Sequence, residues 1–497
     1  MSDYDVIILG SGPGGYLAAE RLAANKIRVA LVEKTAVGGT CLNIGCIPTK
    51  TLLNSAKLYA HLRDASSFGI ETEGVHINWR QVMAWKEEVS KRLRRSLELT
   101  LKKAGVEIIR GVGKLTDGHS VIVFPVNAES DALQPSLYQA QTSQSSDYQS
   151  PDSQSSNSAF MIRGQKIIIA TGSSPIIPPI RGIKDNPAVL DSTGLLSIGE
   201  IPSSLCIIGG GVIGIEFASL FSAFGSSVTV IEMMDEIVPV MDSQMAVELR
   251  KALKNVTFML GTKVTELEGK KVLFENKNGE KGSTEADIIL LSVGRKANIE
   301  DWGAQESGLE IKNRAIATDD RMRTNLPGVW AIGDVTGKSQ LAHAAYRMAE
   351  VAVSDILASQ NSERSNQIFV PETVPWALYS LPEAAGAGLT EQDARARGYD
   401  THVIRMPYKV SGRFVAENGF SAPGSIKIII EKSSERLLGI HLLGAYASEQ
   451  IWGAALALER RLPLSAFRNM VFPHPTVSEV IREAAWSANP LSGTHIH

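Results

Sequence analysis

Asp5-Val-Ile-Ile-Leu-Gly10 runs directly into Ser-Gly12-Pro-Gly-Gly15, and LCIIGGGVIGIE repeats the arrangement around Gly209, Gly211 and Gly214. A short apolar run ending in glycines is the pattern of a buried parallel strand that turns tightly into a helix. In each copy a second strand follows the helix and ends on an acid. Glu33 closes IRVALVE and Glu232 closes SSVTVIE, each 23 residues after the first glycine of its copy. The glycines permit the turn and the close approach of a pyrophosphate, the helix amino terminus stabilises its charge, and the acid accepts hydrogen bonds from a ribose. One such fingerprint is a weak signal. Strand, turn, helix, strand and acid matched twice imply two dinucleotide sites, one for a bound redox cofactor and one for an exchangeable nicotinamide. Glu232 leads into MMDEIVP, with no Arg placed for a 2′-phosphate, which favours NAD over NADP.

At about 100–200 residues per domain, 497 residues leave room for three or four domains or subdomains. A net charge of -3 offers nothing to nucleic acid or an anionic membrane. No window approaches the ~20 apolar residues of a membrane helix. The amino terminus has acids where a secretory leader has bases, so a cytoplasmic location is expected, or an organelle matrix after loss of a transit peptide. Helices are expected in TKTLLNSAKLYAHLRDA and in WRQVMAWKEEVSKRLRRSLELTLKKAG, whose charged face reads as a solvated surface. VEIIRGVGKL and SVIVFPV read as strands, and residues 127–158, rich in Ser, Gln, Asp and Asn, as an insertion in a turn. Asp334 follows a glycine at the end of strand VWAIG, where α/β sheets bind ligands. After about residue 370 the pattern becomes α+β without a glycine fingerprint. The fold class expected is therefore α/β, with two Rossmann-like dinucleotide-binding domains and a carboxyl-terminal α+β domain. The boundaries expected are 1–178, 179–293, a central segment 294–360, and 361–497.

Two of the three cysteines, Cys41 and Cys46, lie in GGTCLNIGCIPTK. A loop this short stabilises little by chain entropy, which argues against a structural staple. Structural zinc wants about four ligands and the chain does not offer a set, so no metal is expected. Cys206 sits inside the strand before the second fingerprint, as a small core residue would. The pair follows Glu33 and precedes a helix whose amino terminus favours a thiolate, so the best physical reading is a reversible disulfide beside a redox cofactor. Near the end, His474 stands between two prolines with Glu479 five residues on, a moderate signal for a base with an orienting carboxylate.

The ordered set GSGPGG, GGTCLNIGCIPTK, IIIATG, GGGVIGIE, SVGRKAN, AIGDVTGKSQLAHAA and HPTVSE resembles the FAD-dependent pyridine nucleotide–disulfide oxidoreductases along nearly the whole chain. Within that family it is most similar to members that reoxidise protein-bound dihydrolipoyl groups with NAD. The resemblance implies that Gly10, Gly12, Gly15 and Glu33 hold the diphosphate and adenosine ribose of a tightly but non-covalently bound FAD. Thr40, Lys50, Gly113, Gly172, Asp334 and Ala342 would complete that site. Gly209, Gly211, Gly214, Glu232, Val264 and Gly294 would line the NAD site, and Glu216 would pair with Lys50 where nicotinamide meets flavin. Cys41 would be the interchange thiol, Cys46 the thiol touching the flavin, and His474, oriented by Glu479, the acid/base. The last domain would be a dimer interface, with His474 serving the other subunit's disulfide. The implied partner is the dihydrolipoyl domain of a 2-oxoacid dehydrogenase core subunit or of a glycine cleavage H-type protein. Phe472 departs from the second His that many relatives carry, as does LAHAAYRMAE from their charged or glycine-rich stretch. The alternative is a related disulfide or mercuric reductase using NAD(P)H.

Overall fold

The computed structural model describes residues 3–126, 158–360 and 365–488. The expected insertion at 127–158 lies, apart from its last residue, outside the described residues. Two compact units form. One comprises Met1–Ser55, His76–Ile201 and Val293–Pro371; the other comprises Ala56–Val75, Pro202–Ser292 and Glu372–His497.

The first unit is built on a parallel sheet. Strand Tyr4–Leu9 pairs with Val29–Glu33 on one side and Phe160–Ile169 on the other. Glu107–Leu115 extends the sheet beyond Val29–Glu33, and Val329–Ala331 extends it beyond Phe160–Ile169. Ser120–Pro125 runs antiparallel to both Glu107–Leu115 and Phe160–Ile169. Val6 to Leu9 are all buried, which is why the strand reads as a continuous apolar run rather than an alternating one. The register sets Ile7 opposite both Ala30 and Ile167, and these side chains share a core with Val32, Ile169 and Trp302. Each such aliphatic burial stabilises by about 1.5–3 kcal/mol, so the strand that carries the first glycine turn is firmly seated. The long helix Trp79–Lys103 is capped by Asn78 Oδ1, which accepts from Gln81 N at 3.1 Å. It is tied down by Trp79 Nε1 donating to Ile198 O at 3.2 Å and by buried Lys86 donating to Leu196 O.

In the second unit, Val256–Met259, Ser227–Ile231, Ser204–Ile208 and Ile288–Leu291 form the second parallel sheet. A meander of Thr262–Glu268, Lys271–Asn276 and Lys281–Glu285 follows, which the sequence reading did not anticipate. The carboxyl-terminal part is an antiparallel sheet in the order Trp376–Leu378, Ala384–Gly388, Leu437–Leu443, Ser425–Glu431, Thr401–Pro407. Helices Ala447–Glu459 and Glu479–Ser487 cover it around Ile428, Ile440, Ile451 and Ile481. Lys427 is fully buried and is held by Asp242 at 2.7 Å and Glu391 at 2.7 Å. Breaking one partner of so buried a set leaves an uncompensated charge, at about 3–5 kcal/mol. No helix among the described residues is long and apolar enough to cross a membrane.

Candidate active site

Both glycine turns have the same construction. Gly10 and Gly209 are left-handed at φ +98° and +108°, conformations that a side chain disfavours. A Cβ on Gly15 would lie 1.9 Å from Gly10 O, and one on Gly214 would lie 2.1 Å from Gly209 O. The middle glycines differ from these: a Cβ on Gly12 or Gly211 would meet nothing within 4 Å. Each caps a 12-residue helix, Pro13–Ala24 or Val212–Ala223, with no side-chain cap hydrogen bond. Open space over uncapped helix N–H donors is what a pyrophosphate requires, so both turns fit a dinucleotide.

The acids close the turns from the other side. Glu33 Oε2 accepts from Ser11 N at 2.9 Å and Ser11 Oγ at 2.6 Å; Oε1 accepts from Thr35 N at 2.8 Å and Thr35 Oγ1 at 3.0 Å. Glu232 accepts from Gly210 N at 2.6 Å and Met234 N at 2.7 Å. Each acid therefore braces its own turn, and Glu232, with two donors rather than four, keeps acceptor capacity for a ribose.

The cysteine stretch is fastened to the first turn. Gly38 N donates to Ser11 O at 3.0 Å, and a Cβ on Gly39 would stand 2.6 Å from Gly12 Cα. Asn43 donates from Nδ2 to Val37 O at 3.1 Å and Gly39 O at 3.0 Å, which closes the segment on itself. Cys41 and Cys46 form a disulfide with Cα atoms 4.6 Å apart. Cys41 sits in a short helix, Gly39–Ile44, and Cys46 is the first residue of the helix Cys46–Arg63. That helix begins earlier than the sequence reading placed it, so Cys46 itself lies at the positive helix terminus and Lys50 lies one turn on. Cys206, the third cysteine, is a buried strand residue whose thiol is pushed up to about 12 by burial.

The other residues expected at the first site gather about the same turn. Gly113 packs over Leu9 and Val32, and a Cβ on Gly10 would meet Ala170 O at 2.4 Å, next to Thr171 and Gly172. Asp334 is in the turn Gly333–Thr336, and Ala342 opens the helix Ala342–Gln360. Ser173 Oγ donates to Asp334 Oδ2 and accepts from Arg295 Nε at 2.8 Å. Burial raises the Asp334 carboxyl, and Ser173 and Arg295 oppose this without cancelling it. Gly294, expected at the NAD site, belongs instead to the first unit; it is left-handed, and its carbonyl accepts from Ile176 N at 2.9 Å. Thr40 is half-buried beside Cys41.

Besides the second glycine turn and its acid, the second unit holds Val264, Glu216 and the His474–Glu479 pair. Val264 is buried opposite Phe274 in the meander. Glu216 is buried in the second fingerprint helix and accepts from Tyr379 N at 3.1 Å. His474 has an 80% exposed side chain, and its Nδ1 is 3.0 Å from Glu479 Oε1. A carboxylate only accepts, so Nδ1 carries the proton and Nε2 is left as the basic nitrogen. Burial raises the Glu479 carboxyl, but donation from Thr476 N at 2.9 Å and the contacts with His474 and Arg482 outweigh it and hold the group below the usual carboxylate range.

Sequence reasoning missed Ser11, Thr35, Ser173 and Arg295. Their signal was proximity to motif residues: Ser11 lies between the first two glycines and Thr35 two past the acid.

Residues 4–349 match the family described as pyridine nucleotide-disulphide oxidoreductase, and residues 374–485 match its dimerisation domain. The chain belongs to the pyridine nucleotide-disulphide oxidoreductase family. It is an oxidoreductase with FAD and NAD as cofactors, and its carboxyl-terminal domain makes it a homodimer. A dihydrolipoyl dehydrogenase of Bacillus subtilis (strain 168) is 35% identical over 504 residues, which cover 100% of this chain and 99% of that protein. Another, from Thermus scotoductus, is 37% identical over 496 residues, covering 98% and 97%. Among solved structures, the Cu(II) complex of the HOCl-induced flavoprotein disulfide reductase RclA from Escherichia coli superposes with a TM-score of 0.80 at 29% identity. It covers 98% of this chain and 100% of that one.

Proposed function

We propose that this chain is a dihydrolipoyl dehydrogenase, oxidising dihydrolipoyl groups on the lipoyl domains of a 2-oxoacid dehydrogenase or glycine cleavage complex with NAD as acceptor. The observation that carries the reading is the Cys41–Cys46 disulfide clasped to the turn that fits the FAD pyrophosphate. The full-length relatives at 35% and 37% identity support it. Glu232, followed by MMDEIVP with no Arg, favours NAD and disfavours an NADPH-dependent glutathione-type reductase. We place the enzyme in the cytoplasm as part of this reading.

In this mechanism Nε2 of His474, presented to the other subunit's disulfide, takes a proton from the first dihydrolipoyl thiol. The thiolate attacks Cys41 Sγ, the Cys41–Cys46 bond breaks, and Cys46 leaves as a thiolate at its helix amino terminus. The second substrate thiol attacks the substrate sulfur bonded to Cys41, its proton passes to Cys41 Sγ, and Cys41 leaves as a thiol. Lipoamide is released with a closed disulfide, and the enzyme keeps two electrons as its reduced cysteine pair. The imidazolium formed on His474, steadied by Glu479, favours the thiolate beside it. Bound FAD supplies the two-electron link between the cysteine pair and NAD. Gly10, Gly12, Gly15, Glu33, Thr40, Gly113, Gly172, Asp334 and Ala342 would hold it. Gly209, Gly211, Gly214, Glu232, Val264 and Gly294 would hold NAD, and Lys50 and Glu216 would assist the electron transfer.

Steady-state assays of lipoamide against glutathione, each with NADH and NADPH, test the reading. Turnover is expected with lipoamide and NADH; preference for glutathione or NADPH would overturn it.

A further inference from the structure

The helix Trp79–Lys103 carries eight basic residues and three acids in a chain whose net charge is -3. All three acids are engaged. Glu87 pairs with Lys86 at 2.6 Å, Glu88 with Arg92, and Glu98 with Arg110 at 2.9 Å. Exposed Lys91, Arg95, Lys102 and Lys103 have no carboxylate partner among the described residues. At 100° per residue they share one side of the helix with Trp85 and Leu99, which are 53% and 50% exposed. That side lies opposite buried Lys86, Ser90 and Leu101, which face the protein. The stripe from Trp85 to Lys103 is about 27 Å long. The helix also touches the redox segment, since Arg94 donates to Asn43 Oδ1 at 3.4 Å. The stripe is therefore about one helix diameter, roughly 10 Å, from the segment that carries Cys41 and Cys46.

We infer that this basic, partly apolar face of Trp79–Lys103 is the docking surface for an acidic protein domain that carries the dithiol substrate on an extended side chain. The inference rests on the dihydrolipoyl reading above and adds a partner surface to it. Cations left without carboxylates set up a local positive field, which raises the encounter rate with an acidic surface and orients it. Trp85 and Leu99 supply apolar contact area of the kind that anchors such a complex. Nucleic acid is a poorer occupant, because the rest of the chain carries the excess of acid. A second copy is poorer too, since a two-fold contact would set this stripe against its own like charges.

The test uses the flavin-loaded enzyme and its Arg95→Glu/Lys102→Glu and Arg95→Gln/Lys102→Gln variants. Two substrates are compared: free dihydrolipoamide and a reduced lipoyl domain of net negative charge. At low salt, kcat/KM for the domain is expected to fall about tenfold or more in the Glu variant and less in the Gln variant, as loss of electrostatic steering predicts. The gap should close as salt rises toward about 0.5 M, where charges are screened over a few ångströms. Bound flavin and kcat/KM for free dihydrolipoamide should stay at the wild-type level. An unchanged rate and salt slope with the domain would overturn the inference, as would an equal loss with free dihydrolipoamide. A shift to monomer on sedimentation would overturn it as well, by giving the face to a second copy. Failure of the unmodified enzyme to oxidise free dihydrolipoamide would instead sink the functional reading, and this inference with it.

Discussion

The two glycine turns share dihedral angles, helix lengths and the spacing of glycines to acid, yet they are finished differently. The first is enclosed. Four donors from Ser11 and Thr35 saturate Glu33, and Gly38 and Gly39 lie against the turn. The second is open. Glu232 has two backbone donors and is followed by the exposed Met233 and Met234. A turn with its surroundings locked suits a cofactor that stays; one left accessible suits a coenzyme that must leave each cycle. The fingerprint says that a dinucleotide binds, and the surrounding residues say for how long.

The largest test of that division lies at the segment that closes the first turn. Cys46→Ser is expected to lower NAD-linked dihydrolipoamide oxidation by more than about a thousandfold, as when one member of a covalent relay is removed. A Cys46 thiolate against the flavin is expected to give the half-reduced enzyme a long-wavelength absorbance band, which the variant should lack. Persistence of that band would reassign the flavin-contacting thiol.

The same lesion placed in each turn sharpens the comparison. Gly15→Ala forces a Cβ onto Gly10 O and should yield colourless protein, whereas Gly214→Ala should stay yellow with NAD turnover impaired. Absorbance at the flavin band together with the KM for NAD separates the two. Equal flavin loss in both would erase the assignment of sites.

Glu479→Gln should lower kcat by about a hundredfold while leaving flavin content alone, a loss within the range of general acid–base catalysis. Glu479 is held below the usual carboxylate range, so its support of His474 is fully present above that range and is lost as pH falls through the lowered value. The acid limb of stability against pH should accordingly flatten in the variant; an unchanged limb would mean that the pair does not titrate together.

The smallest effect is expected from Ser11→Gly, which gives the first turn the residue found at Gly210 in the second. Loss of a hydrogen bond to a charged group, about 1.5–3 kcal/mol, corresponds to roughly tenfold or more in flavin affinity. Flavin release on dialysis measures it, and unaltered retention would show that Ser11 is not part of what makes the first site closed.

Much of this architecture was legible in the sequence because glycine and cysteine carry local constraints. Gly10, Gly15, Gly209 and Gly214 are fixed by backbone geometry within a few residues, and buried parallel strands such as Val6–Leu9 announce themselves by composition. What was not legible depends on residues far apart in the chain. Ser173 meets Arg295 across 122 residues, and Lys427 meets Asp242 across 185. The start of the helix at Cys46 was obscured by Pro48, which is tolerated in a first turn but reads as a breaker. The meander at 262–285 is charged and half-exposed, so its alternation is weak against the surrounding loops.

Gly39 leaning on Gly12 has a consequence for anyone moving this chemistry into another scaffold. The six residues from Cys41 to Cys46 are not a portable cassette, because their footing is the backbone of a different motif 27 residues upstream of Gly39. A side chain at Gly39 would press on the Gly12 backbone and disturb the cysteine segment and the turn at once. Transplanting the thiols therefore means transplanting the turn beneath them, and directed changes at that seam should alter colour and reactivity together.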